Sequence, residues 1–454
     1  MRLIWEANSV WLLKKPVSRK EKVGKVSIKE ATSFIQQIFQ DEEKIISEKV
    51  DKNRKTIEDA IAGLPEAVLE AKSLLQGLIN EFQVEIEGLS QEEAVENIFA
   101  YLWGLGPIEK TYRDPEINEI RVNNPEQVFV LKNLSNEKVD ISFRDEQEVK
   151  KIIDRIIMHD RGVSLNKSSP RIEVMRKDGT RLTATYPPVS ENLTFVLRKQ
   201  LSQVLTMEQF IKTNTLDEKI WELLEALVKG RANILISGGG GSGKTTLVRS
   251  LFGLTNPMAR TLVIESDREL FLKKHFPNRD VVELEEHPEA GSPLGDLFRT
   301  VLRYSPNLII VGEFRGAGEA REAIRACERG HYGSMATAHF DSPQEAIEGT
   351  GRLLLEEGFN ASPQIAALMV AGAYNIVVQM FGESTRGIIK VESITEVNVH
   401  HDQVKFNDLI KWIPDVRDYS VGYWDIVGLP STQLLSRLRR YGMDLPKYFA
   451  QKNP

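Results

Sequence analysis

The stretch "ANILISGGGGSGKTTLVRSLFG", residues 232–253, constrains the chain more than any other. Ile234 to Ile236 are a short apolar run of the kind that forms a buried strand. Gly238, Gly239, Gly240, Gly241, Ser242 and Gly243 follow, then Lys244, Thr245 and Thr246. Leu247, Val248 and Leu251 then recur at helical spacing. Strand, glycine loop and amphipathic helix are the context in which G-x-x-x-x-G-K-[ST] binds phosphate. The glycines let backbone N–H groups turn inward, and the helix N-terminus adds positive potential. Lys244 is expected to reach the β- and γ-phosphates of ATP, and Thr245 to hold Mg²⁺. A flexible glycine loop with no ligand is the plain alternative, and the flanking strand and helix weigh against it.

From about residue 205 the pattern repeats as helix, short apolar strand, loop, helix. "TLVIE", "NLIIVGE" and "GSMATAH" are the further strands. This alternation predicts an α/β fold with a mainly parallel sheet covered by helices. A nucleotide in the glycine loop needs an acid at the tip of a nearby strand to order water. "NLIIVGE" supplies Glu313, with Arg315 two residues on. "TLVIESDREL" offers Glu265, Asp267 and Glu269, and Glu265 is a candidate for Mg²⁺ as well as for catalysis. "ERGHYGSMATAHFDS" carries His331 and His339, of which His339 follows a strand and is the better placed.

Composition narrows the class. The 454 residues suggest two or three domains, and 41% hydrophobic with 27% charged residues is ordinary for a globular protein. The net charge of −6 argues against nucleic acid as the main partner. The one cysteine, Cys327, allows no intrachain disulfide and no CxxC zinc site, and its helical spacing reads as a core position. The N-terminus has neither an apolar h-region nor a cleavage site, so no signal peptide is expected. The longest apolar run, residues 365–381, is broken by Asn375 and Gln379 and reads as a helix then a strand.

Residues 1–26 are basic and irregular, with Trp5 and Trp11 beside the lysines. They read as a solvated arm or a docking segment. Ala31, Phe34, Ile35, Ile38 and Phe39 start a helical pattern, and Pro65 to Phe82 is a further helix. Ser90 with Glu93 makes a capping box that opens another, ending near Trp103. A helix is expected near 146–160, and "RIEVMRKDGTRLTATYPP" reads as a hairpin turning at "KDG". Four regions result: a helical N-terminal extension (1–100), a smaller α/β N-domain with linker (101–200), the phosphate-loop domain (201–405) and a helical C-terminal tail (406–454).

The motifs together resemble the secretion and pilus-assembly ATPases of the type II and type IV secretion superfamily, most closely the CpaF/TadA branch that powers tight-adherence pili. The resemblance covers roughly residues 100–400. "GLGPIEKTYRDPEINEIRVNNPEQVFV" is similar to the family's N-domain entry, and "GVSLNKSSPRIEVMRKDGTRLTATYPPVS" with "FVLRK" to its second half and linker. "VIESDREL" resembles the Asp box, "LRYSPNLIIVGEFRGAGEA" the Walker B region and "GHYGSMATAHFDSP" the His box.

The resemblance implies a RecA-like core, ATP with Mg²⁺ as ligand, and a homo-hexamer acting on an integral membrane platform protein from the cytoplasmic face. It implies Glu265 as the Asp-box glutamate, Glu313 as the catalytic glutamate and His339 as the His-box histidine. Arg198 corresponds to a linker arginine near the nucleotide, and Arg181 to an N-domain arginine that reaches a neighbour's γ-phosphate. Ser266 stands where the Asp box usually has Asp, and Met175 where the family often has arginine, with Arg176 adjacent. A conjugation-type traffic ATPase is the nearest alternative. A nucleotide-gated scaffold with little turnover is the alternative of another class, and Ser266 is the feature that leans toward it.

Overall fold

The computed structural model describes residues 24–42, 48–132, 135–158, 160, 162–199, 204–287, 291–314, 319–383 and 385–450. Most of the basic N-terminal arm and Arg315 lie outside the described residues. The chain divides into two compact units, residues 1–200 and 201–454.

The first described element of the first unit is strand β1 (Gly24–Val26), where the sequence pattern suggested no regular structure, and it pairs in parallel with β2 (Val84–Ile86). Helices Ile28–Glu42, Glu48–Ile61, Pro65–Phe82 and Gln91–Leu102 pack together. Val68, Ala71, Leu75, Ile79 and Phe82 form the buried stripe of the third, at spacings of three and four. The capping box is present: Ser90 N–H donates to Glu93 Oε2 at 2.8 Å, and Glu93 N–H donates to Ser90 Oγ at 3.3 Å.

The same unit holds an antiparallel sheet of β3 (Ile117–Asn124), β4 (Gln127–Lys132), β5 (Ser135–Val139), β6 (Arg171–Met175), β7 (Arg181–Thr185) and β8 (Thr194–Arg198). The order is β5-β4-β3-β8-β7-β6. Helix Glu146–Ile157 buries Val149, Ile152, Ile153, Ile156 and Ile157 in the core of this region. The β6–β7 hairpin does turn at residues 176–180, and its tip docks on the helical region: Arg176 Nη2 donates to Ile61 O at 2.8 Å, and Lys177 Nζ lies 3.1 Å from Asp59. Helical extension and α/β region therefore share one compact unit.

The second unit is built on a mixed sheet of β9 (Ile234–Gly238), β10 (Thr261–Glu265), β11 (Val281–Glu285), β12 (Leu308–Val311), β13 (Met335–Ala338), β14 (Ile376–Glu383), β15 (Ile388–His400), β16 (Gln403–Pro414) and β17 (Gly422–Ile426). The order is β11-β10-β12-β13-β9-β14-β15-β16-β17. β11 through β14 in this order are all parallel, and β14 to β17 form an antiparallel meander. β9 sits between β13 and β14, so the chain leaves it and returns on both sides. This is the RecA-like order, and it opens a crevice at the C-terminal ends of the parallel strands. Two apolar layers cover the sheet, one including Leu247, Val248 and Leu251, the other including Phe298, Ile324 and Val370.

The tail differs from the helical expectation. Residues 406–414 lie within β16, β17 follows, and helices occur only at Thr432–Arg440 and Lys447–Ala450. The reason is alternation over 403–406 and again over 410–412, interrupted by a register shift where Leu409 and Ile410 are both buried; Leu409, Ile410 and Trp412 pack inside the meander. Residues 365–381 are a helix (within Pro363–Ala373) followed by β14, as the broken apolar run predicted. Among the described residues, no helix is long and apolar enough to cross a membrane.

Candidate functional site

Every residue of β9 is buried, and the glycine loop leaves its C-terminal end. Gly243 has φ of 88° and serves as N-cap of helix Lys244–Gly253 with no side-chain cap, a conformation that favours glycine. The first backbone N–H groups of that helix are left for an anion. Around Gly239, Gly240 and Gly241 an added Cβ would meet nothing within 4 Å, so the rim of the loop is open. Ser242 is buried, and its Oγ has no hydrogen-bond partner. Lys244 is 6% exposed, and its Nζ donates to the carbonyls of Gly238 (2.7 Å) and Gly239 (2.8 Å). Thr246 is half-buried in the first turn of the helix.

The acids gather at the same sheet edge. Glu265 ends β10 and is 3% exposed. Its Oε1 accepts the backbone N–H groups of Glu269 and Leu270, each at 3.0 Å, while its buried Oε2 has no partner. Burial pushes this carboxyl up to about 8, against the two N–H bonds that favour the anion; the charges of Glu283 and Glu269 add to the rise. Thr245 Oγ1 donates to Glu269 Oε2 at 3.4 Å. Thr245, Glu265, Ser266, Asp267, Glu269, Gly312 and Glu313 line one cleft.

Gly312 explains the step from strand to acid in "IIVGE". A Cβ there would lie 2.7 Å from Glu265 Cγ, so only glycine lets β12 pass beside the Glu265 side chain. Glu313 follows at once, and its Oε1 lies 2.5 Å from His339 Nε2. His339 immediately follows β13, the strand between β12 and β9, so the parallel order itself brings loop, glutamate and histidine to one edge.

Sequence reasoning missed Arg249. Its guanidinium, 2% exposed, comes from the helix after the glycine loop and holds the Glu265 loop: Nε donates to Leu270 O at 2.9 Å and Nη2 to Glu269 O at 2.8 Å. The available signal was an arginine set among Leu247, Val248 and Leu251 in an otherwise apolar helix.

Other candidates fall elsewhere. His331 precedes β13, at the opposite end of the strand, and its Nδ1 is 3.0 Å from Pro306 O. Arg181 and Arg198 belong to the first unit and are direct cross-strand partners on β7 and β8; Glu119 faces Arg198 from β3. Arg181 Nη1 also lies 3.5 Å from Glu173. Two like charges opposite one another in a sheet are unfavourable without an anion nearby. Arg176 is engaged with Ile61 and stacks 5.2 Å from the Tyr112 ring. Cys327 is buried, as its spacing suggested.

The residues fit a nucleotide with Mg²⁺. The open loop rim gives space, Lys244 and the helix N-terminus give positive charge, and the unpartnered Glu265 Oε2 is an oxygen beside Thr245 in the same cleft. Mg²⁺ keeps several waters and needs only one or two protein oxygens. Among the described residues no group of three or more His, Cys, Asp or Glu is arranged to hold a metal unaided.

The Glu265 carboxyl makes stability depend on pH. Its folded pKa lies above the unfolded value of 4.5, so the folded state binds the proton more tightly. The stabilising contribution is complete below 4.5 and is lost as pH rises toward about 8. Denaturant unfolding of the ligand-free chain should therefore show a loss on the order of a few kcal/mol across that window relative to Glu265→Gln, which cannot titrate. Parallel pH profiles for the two proteins would contradict it.

A phosphate-loop protein with a RecA-like core is what this fold and site define. The chain belongs to the family described as Type II/IV secretion system protein, which it matches over residues 102–381. It is 33% identical over 263 residues to the uncharacterized protein MJ0781 of Methanocaldococcus jannaschii, a match covering 54% of this chain and 34% of that protein. The chain thus spans about a third of the length of that relative. It is 26% identical over 296 residues to the type IV secretion system protein VirB11 of Brucella suis, covering 58% of this chain and 80% of that one. Among solved structures, the ATPase DotB of Legionella pneumophila is 18% identical, with a TM-score of 0.47 over 75% of this chain and 84% of that chain.

Proposed function

We propose that the chain is a Mg²⁺-dependent ATPase motor of a secretion or pilus-assembly system. The observation that carries this reading is the meeting of four groups at one sheet edge: the open loop with Lys244, Glu265 with its unpartnered Oε2, Glu313, and His339. Lys244 and the loop N–H groups hold the β- and γ-phosphates. Mg²⁺, when bound, supplies charge neutralisation at those phosphates, with Thr245 and Glu265 as the residues to hold it. Glu313 orients the attacking water and takes its proton, and His339 fixes the carboxylate of Glu313. The motif resemblance assigns Arg181 and Arg198 to offsetting the charge that develops on the phosphoryl group.

The arginines carry the assembly reading. A head-to-tail ring gives every subunit the same boundary contact, so a homo-hexamer with Arg181 acting on a neighbour's ATP is proposed. The ring would work on an integral membrane platform protein at the cytoplasmic face. The motif resemblance supports tight-adherence pili. Conjugation-type traffic is the second reading, favoured by similarity to the conjugal transfer protein TrbB of Rhizobium radiobacter (26% identical over 221 residues) as well as to VirB11.

Mixing two impaired variants tests the boundary contact: Arg181→Ala should lower turnover more than ATP affinity, and Lys244→Ala should abolish hydrolysis. Arg181→Ala subunits keep a sound phosphate loop, and Lys244→Ala subunits keep a sound arginine. Mixed rings should recover part of the ATPase rate that is lost in the separate variants. Recovery of nothing while rings form, or full activity of a monomer in sedimentation, would overturn the trans-arginine assignment.

A further inference from the structure

A second cavity lies away from the phosphate loop. It has a volume of about 230 Å³ and is lined by Tyr332, Gln433, Ser436, Arg437, Arg440 and Tyr441. Tyr332 precedes β13, so the cavity sits toward the N-terminal ends of the parallel strands, and the phosphate loop leaves their C-terminal ends. Helix Thr432–Arg440 is fixed by Leu434 and Leu438, both buried; a Cβ on Gly230 would meet Leu438 Cδ2 at 2.2 Å. With those two residues turned inward, positions 433, 436, 437 and 440 share another face, at the i, i+3, i+4, i+7 spacing.

The charge in this cavity is unbalanced. No Asp or Glu is among its lining residues. The Arg437 guanidinium lies 5.1 Å from the centre of the Tyr332 ring, and its buried Nη1 has no hydrogen-bond partner. Desolvation is the largest influence on it and works against its charge, and Arg440 adds to that effect. The ordinary role of a basic residue at a helix C-terminus is to face solvent and offset the helix dipole. Arg439, exposed and 3.4 Å from Asp444, does that. Arg437 is instead partly withdrawn from solvent against the Tyr332 ring. A desolvated guanidinium with a donor unused is costly unless an anion completes it.

We infer that this cavity is a binding site for the phosphate group of a small phosphorylated molecule. Two guanidinium groups three residues apart, with the Ser436 hydroxyl and the Gln433 amide, offer more donors than a carboxylate's two oxygens use, and they match the three oxygens of a phosphomonoester. The cavity is larger than a phosphate alone, and the Tyr332 and Tyr441 rings line the remainder, so the attached group has an apolar or aromatic face. Arg231 stacks on Tyr441 at 5.1 Å and holds that ring in place. The site is independent of the ATPase reading, since it shares no residue with the phosphate-loop cleft.

Calorimetric titration of the full chain tests it, with Lys244→Ala present throughout to weaken the phosphate loop. Phenyl phosphate is the probe, inorganic phosphate the bare-anion arm and benzoate the carboxylate arm. Phenyl phosphate should bind saturably and lose at least about tenfold in affinity when Arg437→Gln is added, as expected for one charge-assisted contact. Inorganic phosphate should bind more weakly with the same dependence on Arg437. Ser436→Asp, an exposed change that puts a negative charge at the cavity, should weaken phenyl phosphate as well and decides the matter if Arg437→Gln lowers the melting temperature. Absence of binding, binding indifferent to these substitutions, or benzoate bound as tightly as phenyl phosphate would overturn the assignment.

Discussion

Lys244→Ala is expected to abolish ATP hydrolysis and to weaken nucleotide binding by roughly ten- to a hundredfold. The lysine is nearly buried, and its ammonium is held at the mouth of the loop by the carbonyls of Gly238 and Gly239. A charge-assisted contact to phosphate is worth about 1.5 to 3 kcal/mol, which gives that loss in affinity. The loss in rate is larger, because the same charge opposes the build-up of negative charge during phosphoryl transfer. Removing the side chain also leaves two loop carbonyls without this donor, so a melting curve should accompany the assay. A folded variant with wild-type turnover would refute the phosphate-loop assignment.

Glu313→Gln is expected to keep nucleotide affinity and lose hydrolysis by about a hundredfold or more, the effect of removing a positioned base. The amide has nearly the shape of the carboxylate and can still meet His339 Nε2, which lies 2.5 Å from Glu313 Oε1, so the geometry survives while proton acceptance does not. Nucleotide binding measured beside turnover separates this outcome from simple unfolding. Normal hydrolysis by the variant would remove Glu313 from the chemistry.

The central features were readable in the sequence because they are local. A strand, six residues of loop and a helix lie within "ANILISGGGGSGKTTLVRSLFG", and each declares its own periodicity. The Ser90–Glu93 capping box and the β6–β7 hairpin were readable for the same reason. What escaped depends on partners distant in the chain. That Gly312 must be glycine follows from the Glu265 side chain packed against it, 47 positions away in sequence, and only the β10–β12 pairing brings the two together. Arg249 declares its role only once the loop after β10 folds back over it. Arg181 and Arg198 become neighbours only through the register of β7 on β8. The strands of the tail escape a local reading because "LLSRLRRYG" near its end declares a helix by itself, whereas β16 and β17 are fixed by their pairing in the meander.

The release of inorganic phosphate by the purified chain, with saturating ATP and Mg²⁺, tests the account most directly. The account predicts steady multiple turnover that vanishes in Lys244→Ala and falls by about a hundredfold or more in Glu313→Gln. A folded chain that binds ATP yet releases no phosphate above the Glu313→Gln background would contradict it, and would mark the protein as a nucleotide-gated scaffold.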